Sequence, residues 1–122
     1  MAIEVCWHDD GKHIFLWRFI GDWTIDEFSQ ANKQYRTMLP DTPTHLIIDI
    51  WDSKKLPVDV VSLVFIIKAI AAGMQKEQGR IVLVGEGRML RIALETVQRF
   101  YKQAENSFLM ADSIEKAATL LS

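Results

Sequence analysis

Two short runs, HLIIDI (45–50) and RIVLVG (80–85), are apolar at nearly every position, and segments with helical spacing separate them from their neighbours. A strand that has lost its polar–apolar alternation is covered on both faces, so each run belongs in the middle of a sheet. Strands that alternate with helices are joined by crossovers, which give parallel pairing and right-handed connections. That combination confines the chain to an α/β fold, a sheet with helices packed against it.

The remaining segments fill in the order. IEVCWHDDGKHIFLWRFIG reads as an N-terminal hairpin. Asp10-Gly11 is its turn, because a tight primed turn needs positive φ, which Gly accepts and Asp tolerates. Gly21 ends the second arm. TIDEFSQANKQYRTML is a helix, with Thr24 as its cap and Glu27 three residues on completing a capping box. Ile25, Phe28, Ala31, Tyr35 and Met38 fall at helical spacing and form its buried stripe. Pro40 and Pro43 stop it.

Pro57 suits the first turn of the next helix, and Asp59 in that turn complements the helix dipole. This helix runs to about Lys76 and is apolar nearly all round, so little of it faces water. GRMLRIALETVQRFYKQ is another amphipathic helix, SFLMA the last strand, and Asp112 with Glu115 a second capping box before the final helix. The order β-β-α-β-α-β-α-β-α predicts a mixed sheet of four to five strands and about four helices. With no internal repeat, low-complexity tract or linker, residues 1–122 read as a single domain.

Composition narrows the function. Hydrophobic residues make up 49% of the 122, enough to fill a core without metal or disulfides. Lys and Arg number 14 against 16 Asp and Glu, an interspersed near-balance that offers no basic face for nucleic acid. Cys6 is the single cysteine, so no internal disulfide forms. In a strand-like run it reads as a small buried hydrophobe, and the usage fits a reducing compartment. The start MAIEVCWHDD lacks the basic-then-apolar order of a signal peptide. Val60–Met74 contains Lys68 and is short for a bilayer span. The expectation is a soluble cytoplasmic protein.

No catalytic constellation stands out. VLVGEGRMLRIAL places Gly85 and Gly87 between a strand and a helix, but Leu90 stands where a dinucleotide fingerprint needs a third glycine. Two glycines making a tight turn is the simpler reading, with weak anion binding beside Arg88 as the alternative. His8, Asp9, Asp10 and His13 surround the hairpin turn and are candidate metal ligands, against the plainer reading of a solvated turn. His45 has no evident partner. Asp49 and Asp52 lie near a strand's carboxyl end, where two carboxylates can act as acid and base. Trp7 and Trp17 read as core or sheet-face residues. Trp23 and Trp51 lie at loop positions, where aromatics are either binding anchors or caps folded onto the core.

The element order, together with FIGDWTIDEFSQA, HLIIDI, RIVLVG and ADSIEKAATLL, resembles the STAS domain family over His13–Leu121. That family includes the bacterial anti-sigma factor antagonists and the cytoplasmic domains of sulfate transporters. The matching landmarks are a strand ending in Gly before the first helix, a buried strand ending in Asp49, and the helix start at Asp112, Ser113, Glu115 and Ala117. The resemblance implies a mixed sheet with helices against it, no catalytic activity, no cofactor, and a protein partner such as an anti-sigma factor or related kinase-like regulator. A homodimer is left open.

One departure stands out. Many antagonists in the family carry an Asp-Ser-Ser/Thr-Gly type motif at the start of the second helix, whose hydroxyl is phosphorylated to block binding by charge. Here the region reads LPVDVVSL. Asp59 matches the motif's Asp, but Val60 and Val61 replace the hydroxyls, and Ser62 and Ser53 are displaced from that position. The implied function is a non-catalytic, regulatory interaction domain without the usual phosphoserine switch. Its expected partner surface comprises Trp51, Asp52, Ser53, Lys54, Asp59, Ser62 and Trp23. Two alternatives remain: a small-molecule or lipid-binding module lined by Phe65, Ile66 and Ile67, and a small enzyme using Asp49, Asp52 or the His8/His13 pair.

Overall fold

The computed structural model describes residues 3–8, 14–38, 44–51, 80–88, 91, 95 and 108–121. These form β1 (Ile3–Trp7), β2 (Ile14–Phe19), α1 (Ile25–Met38), β3 (His45–Asp49), β4 (Ile81–Val84), β5 (Phe108–Ala111) and α2 (Ile114–Leu121). The five strands make one mixed sheet in the order β1-β2-β3-β4-β5. β1 and β2 pair antiparallel, and every later pairing is parallel.

HLIIDI and RIVLVG supply β3 and β4, which lie side by side in parallel with Leu46 opposite Ile81 and Ile48 opposite Leu83. All four β4 residues are buried, and so are Leu46 to Asp49 of β3. This is the expected result of coverage on both faces. In the hairpin, Trp7 lies opposite Phe15 and meets it edge-to-face at 5.0 Å.

The two faces of the sheet carry different chemistry. On one, the β2 aromatics Phe15, Trp17 and Phe19 receive α1. The ring centre of Trp17 stands 5.2 Å from Tyr35 and 5.6 Å from Phe28. Large rings in these offset arrangements add pair energy to area burial, about 0.5–1.5 kcal/mol each. On the opposite face Ile14, Leu16, Ile47, Val82, Val84 and Ala111 form an aliphatic layer with Ala117 of α2.

α1 begins as its sequence predicts. The Glu27 N–H donates to Thr24 Oγ1 at 3.1 Å, and the Thr24 N–H donates to Glu27 Oε1 at 3.2 Å. Both bonds of a capping box are therefore made. Phe28, Ala31 and Tyr35 are buried. Ile25, expected on the same stripe, is 50% exposed. At about 100° per residue it sits nearly a right angle from the centre of the Phe28–Ala31–Tyr35 stripe, so its side chain clears the sheet.

The second capping box differs by one residue from expectation. The Lys116 N–H donates to Ser113 Oγ at 3.1 Å, which makes Ser113 the cap of α2. Asp112 instead pairs with the Lys116 ammonium at 2.9 Å. Both residues are natural cap formers.

Cys6 is exposed, not buried as expected. β1 is an edge strand, and Glu4 and Cys6 alternate onto the same outward side. Partial burial, then the Glu4 carboxylate, push its thiol pKa up, with Arg18 pulling the other way. The neutral thiol is thereby favoured over the nucleophilic thiolate.

Of the four expected helices, α1 and α2 are described in full. Residues 87, 88, 91 and 95 are helical, in line with the expected helix in GRMLRIALETVQRFYKQ. The expected helix from Pro57 lies outside the described residues. Among the described residues no helix is long and apolar enough to cross a membrane.

Candidate functional site

Parallel strands β2 to β5 end together, and the loops that leave them share one edge of the sheet. Such an edge is the usual place for ligands and partners in α/β folds. β3 is fastened beyond its last strand residue, because the Ile50 N–H donates to the Val84 carbonyl at 2.8 Å. The chain then turns. The Trp51 N–H donates to Asp49 Oδ1 at 2.9 Å, closing a side-chain-to-backbone turn two residues long.

Asp49 is 6% exposed, so its carboxylate is committed to this local structure. Arg18, its register partner on β2, places Nε 3.6 Å from Asp49 Oδ2. The same guanidinium lies 3.7 Å from Glu4 on β1. These separations give charge attraction at a partly exposed site without hydrogen-bond geometry. Glu4, Arg18 and Asp49 thus form a row of alternating charge across three strands. This arrangement organises the start of the loop, a role that the sequence reading assigned to no residue.

Trp51 follows with its side chain in solvent, 51% exposed. It is a large aromatic carried on a backbone held from behind. Trp23, the other loop tryptophan, is 3% exposed and packs edge-to-face on Phe19 at 5.1 Å. Gly21, at φ 62°, reverses the chain just before it and returns the ring to the core. Trp23 is therefore a core cap, in correction of its expected place on the partner surface. Asp52, Ser53, Lys54, Asp59 and Ser62 lie outside the described residues, as do Phe65, Ile66 and Ile67 of the pocket alternative.

The other sequence candidates separate. His8 is exposed and its N–H donates to the Ile14 carbonyl at 2.8 Å, closing the hairpin from one side. His13, Asp9 and Asp10 lie outside the described residues. Among the described residues no group of three His, Cys, Asp or Glu could hold a metal ion. His45 does have a partner, because its Nδ1 accepts the Arg80 N–H at 3.1 Å. That bond requires an unprotonated Nδ1.

At the β4 end, the buried Gly85 donates its N–H to the Ala111 carbonyl at 3.3 Å. A Cβ added at Gly87 would meet nothing within 4 Å. Gly87 is therefore not needed for close approach to a packed neighbour, which agrees with a simple strand-to-helix turn.

No protein-family model matches the chain, and no curated protein matches it in sequence. Among solved structures, an anti-sigma-factor antagonist (STAS) domain protein from Planctomyces limnophilus superposes with a TM-score of 0.61. The match spans 100% of this chain and 99% of that one, at 16% sequence identity. The fold is STAS-like. The likeness is one of fold, and the loop after β3 has to be argued from its own residues.

Proposed function

We propose that this chain is a non-catalytic, regulatory protein-interaction domain that binds a protein partner through the loop leaving β3. The observation that supports this reading is the exposed Trp51 ring, held behind by the Asp49 turn. An aromatic presented on a pre-ordered backbone loses little conformational freedom on binding and can act as a central anchor. Asp52, Ser53, Lys54, Asp59 and Ser62 follow it in sequence and complete the proposed surface with charges of both signs. The structural neighbour is named as an anti-sigma-factor antagonist. That name supports a partner of the anti-sigma-factor or related kinase-like class. Val60 and Val61 support binding without the usual phosphoserine switch. A single free thiol supports a reducing, cytoplasmic setting.

The test pairs two measurements on Trp51→Ala. Affinity purification from the source cell with mass spectrometry identifies the partner, and titration then measures its affinity. Truncation is expected to weaken the complex by roughly 30-fold, the equivalent of about 2 kcal/mol. Urea unfolding should shift by no more than about 0.5 kcal/mol. A large loss of stability with unchanged affinity would make Trp51 a core cap and remove the reading.

A further inference from the structure

Arg18 stands between two carboxylates. The strand register sets Glu4 of β1 opposite it on one side and Asp49 of β3 opposite it on the other. Its Nη1 lies 3.7 Å from Glu4 Oε2, and its Nε lies 3.6 Å from Asp49 Oδ2. Both separations exceed hydrogen-bond range, which for N–H···O ends at about 3.2 Å. Because the two acceptors come from opposite neighbouring strands, a sideways movement of the guanidinium that shortens one contact lengthens the other.

The contact with Asp49 reaches beyond the pair. One carboxylate does two jobs there, with Oδ1 accepting the Trp51 N–H at 2.9 Å while Oδ2 faces Arg18. The terminal torsion of an aspartate is broad and has no sharp staggered wells. Held at one oxygen the group swings. Held at both, it keeps Oδ1 aimed at the Trp51 N–H. Arg18 therefore acts on the Trp51 turn through Asp49.

The two carboxylates differ in setting. The Glu4 side chain is half exposed, and that of Asp49 is buried. Water and salt screen the Glu4 pair more than the Asp49 pair. Without the Glu4 charge the pull toward β1 disappears. A movement of about 0.5 Å then brings the Arg18 Nε–H into bonding distance of Asp49 Oδ2.

We propose that Glu4 is an opposing positioning residue for the Trp51 loop: it competes with Asp49 for Arg18, so that charge at the β1 edge sets how firmly the loop beyond β3 is held. Whatever neutralises Glu4 tightens the turn two strands away, and whatever removes Arg18 loosens it. The consequence for binding rests on the reading of this loop as the partner surface. The device itself does not, and its test uses the free chain, so the two fail separately.

Hydrogen exchange of the Trp51 backbone N–H, followed by NMR on the full chain, is the measurement. Glu4→Gln should slow this exchange by roughly two- to fivefold, the range of an exposed ion pair. Arg18→Gln should speed it by a similar factor. Bare charge acts on hydroxide-catalysed exchange in the opposite sense, since losing a nearby anion speeds it and losing a cation slows it, so these signs report the turn itself. In the Arg18→Gln background, adding Glu4→Gln should change nothing further, because the coupling runs through the guanidinium. The Ile50 N–H, bonded to the Val84 carbonyl, is the internal reference and should exchange at the same rate throughout. Glu4 is exposed on an edge strand, so Glu4→Gln keeps the fold and decides the matter even where Arg18→Gln does not fold. Unchanged or faster Trp51 exchange in Glu4→Gln overturns the proposal. Equal slowing by Glu4→Gln with and without Arg18 overturns it as well.

Discussion

The buried Asp49 carboxylate accepts the Trp51 N–H at 2.9 Å, so the residue that ends β3 sets the geometry of the residue that projects from it. Anchor and support lie two positions apart, and changes at each should separate cleanly.

Asp49→Ala removes the turn acceptor and the charge facing Arg18. It should destabilise the fold by about 1–3 kcal/mol, the range for leaving a partly buried donor unsatisfied. Asp49→Asn keeps an acceptor for the Trp51 N–H and should lose less than Ala does. Urea unfolding of the two variants is the measurement, and equal losses would show that the charge, not the turn, matters.

The start of α2 offers a direct comparison of neighbours. Ser113→Ala removes the cap and should cost about 1 kcal/mol. Asp112→Ala breaks an exposed pair and should cost less than about 0.5 kcal/mol. Chemical denaturation of both variants decides the cap, and the reverse ranking would restore Asp112 to that role.

Much of the architecture is legible because burial on two faces erases alternation, as in HLIIDI and RIVLVG, and because a capping box is a local device, as at Thr24 and Glu27. The features that escape the sequence depend on what lies beside a residue in space. Cys6 looks like a core residue until β1 is known to be an edge. Trp23 looks like a loop residue until the turn at Gly21 is known to send it inward. At Asp112-Ser113 two good caps are adjacent, and the path out of β5 chooses between them.

Tyr35 is fully buried among aromatic rings, and this burial pushes its phenol pKa far up, with Arg36 pulling weakly the other way. The folded pKa lies above the unfolded value of about 10, so the folded state holds this proton more tightly. The stabilisation is complete below pH of about 10 and is lost as pH rises beyond it toward the folded pKa. Thermal melts between neutral and strongly alkaline pH should show this fall. It should be shallower in Tyr35→Phe.

Val60 and Val61 stand where hydroxyls would be phosphorylated in the antagonists this chain resembles. Incubation with kinases of the anti-sigma type and ATP, followed by intact-mass measurement, should give no stoichiometric phosphate. A full equivalent on Ser53 or Ser62 would restore a switch to the Trp51 loop.

The strand order of the sheet is the order of the chain, β1 through β5. During synthesis, each strand therefore emerges to find its partner already in place, and the sheet can grow from the amino terminus in a single direction. β5 and α2 follow the other described elements out of the ribosome. Until they dock, β4 is the growing edge, and its four apolar residues stand open to pairing with another nascent chain. The interval between the emergence of β4 and the docking of β5 is thus the period of greatest aggregation risk for this edge. The docking of β5 on β4 ends that exposure.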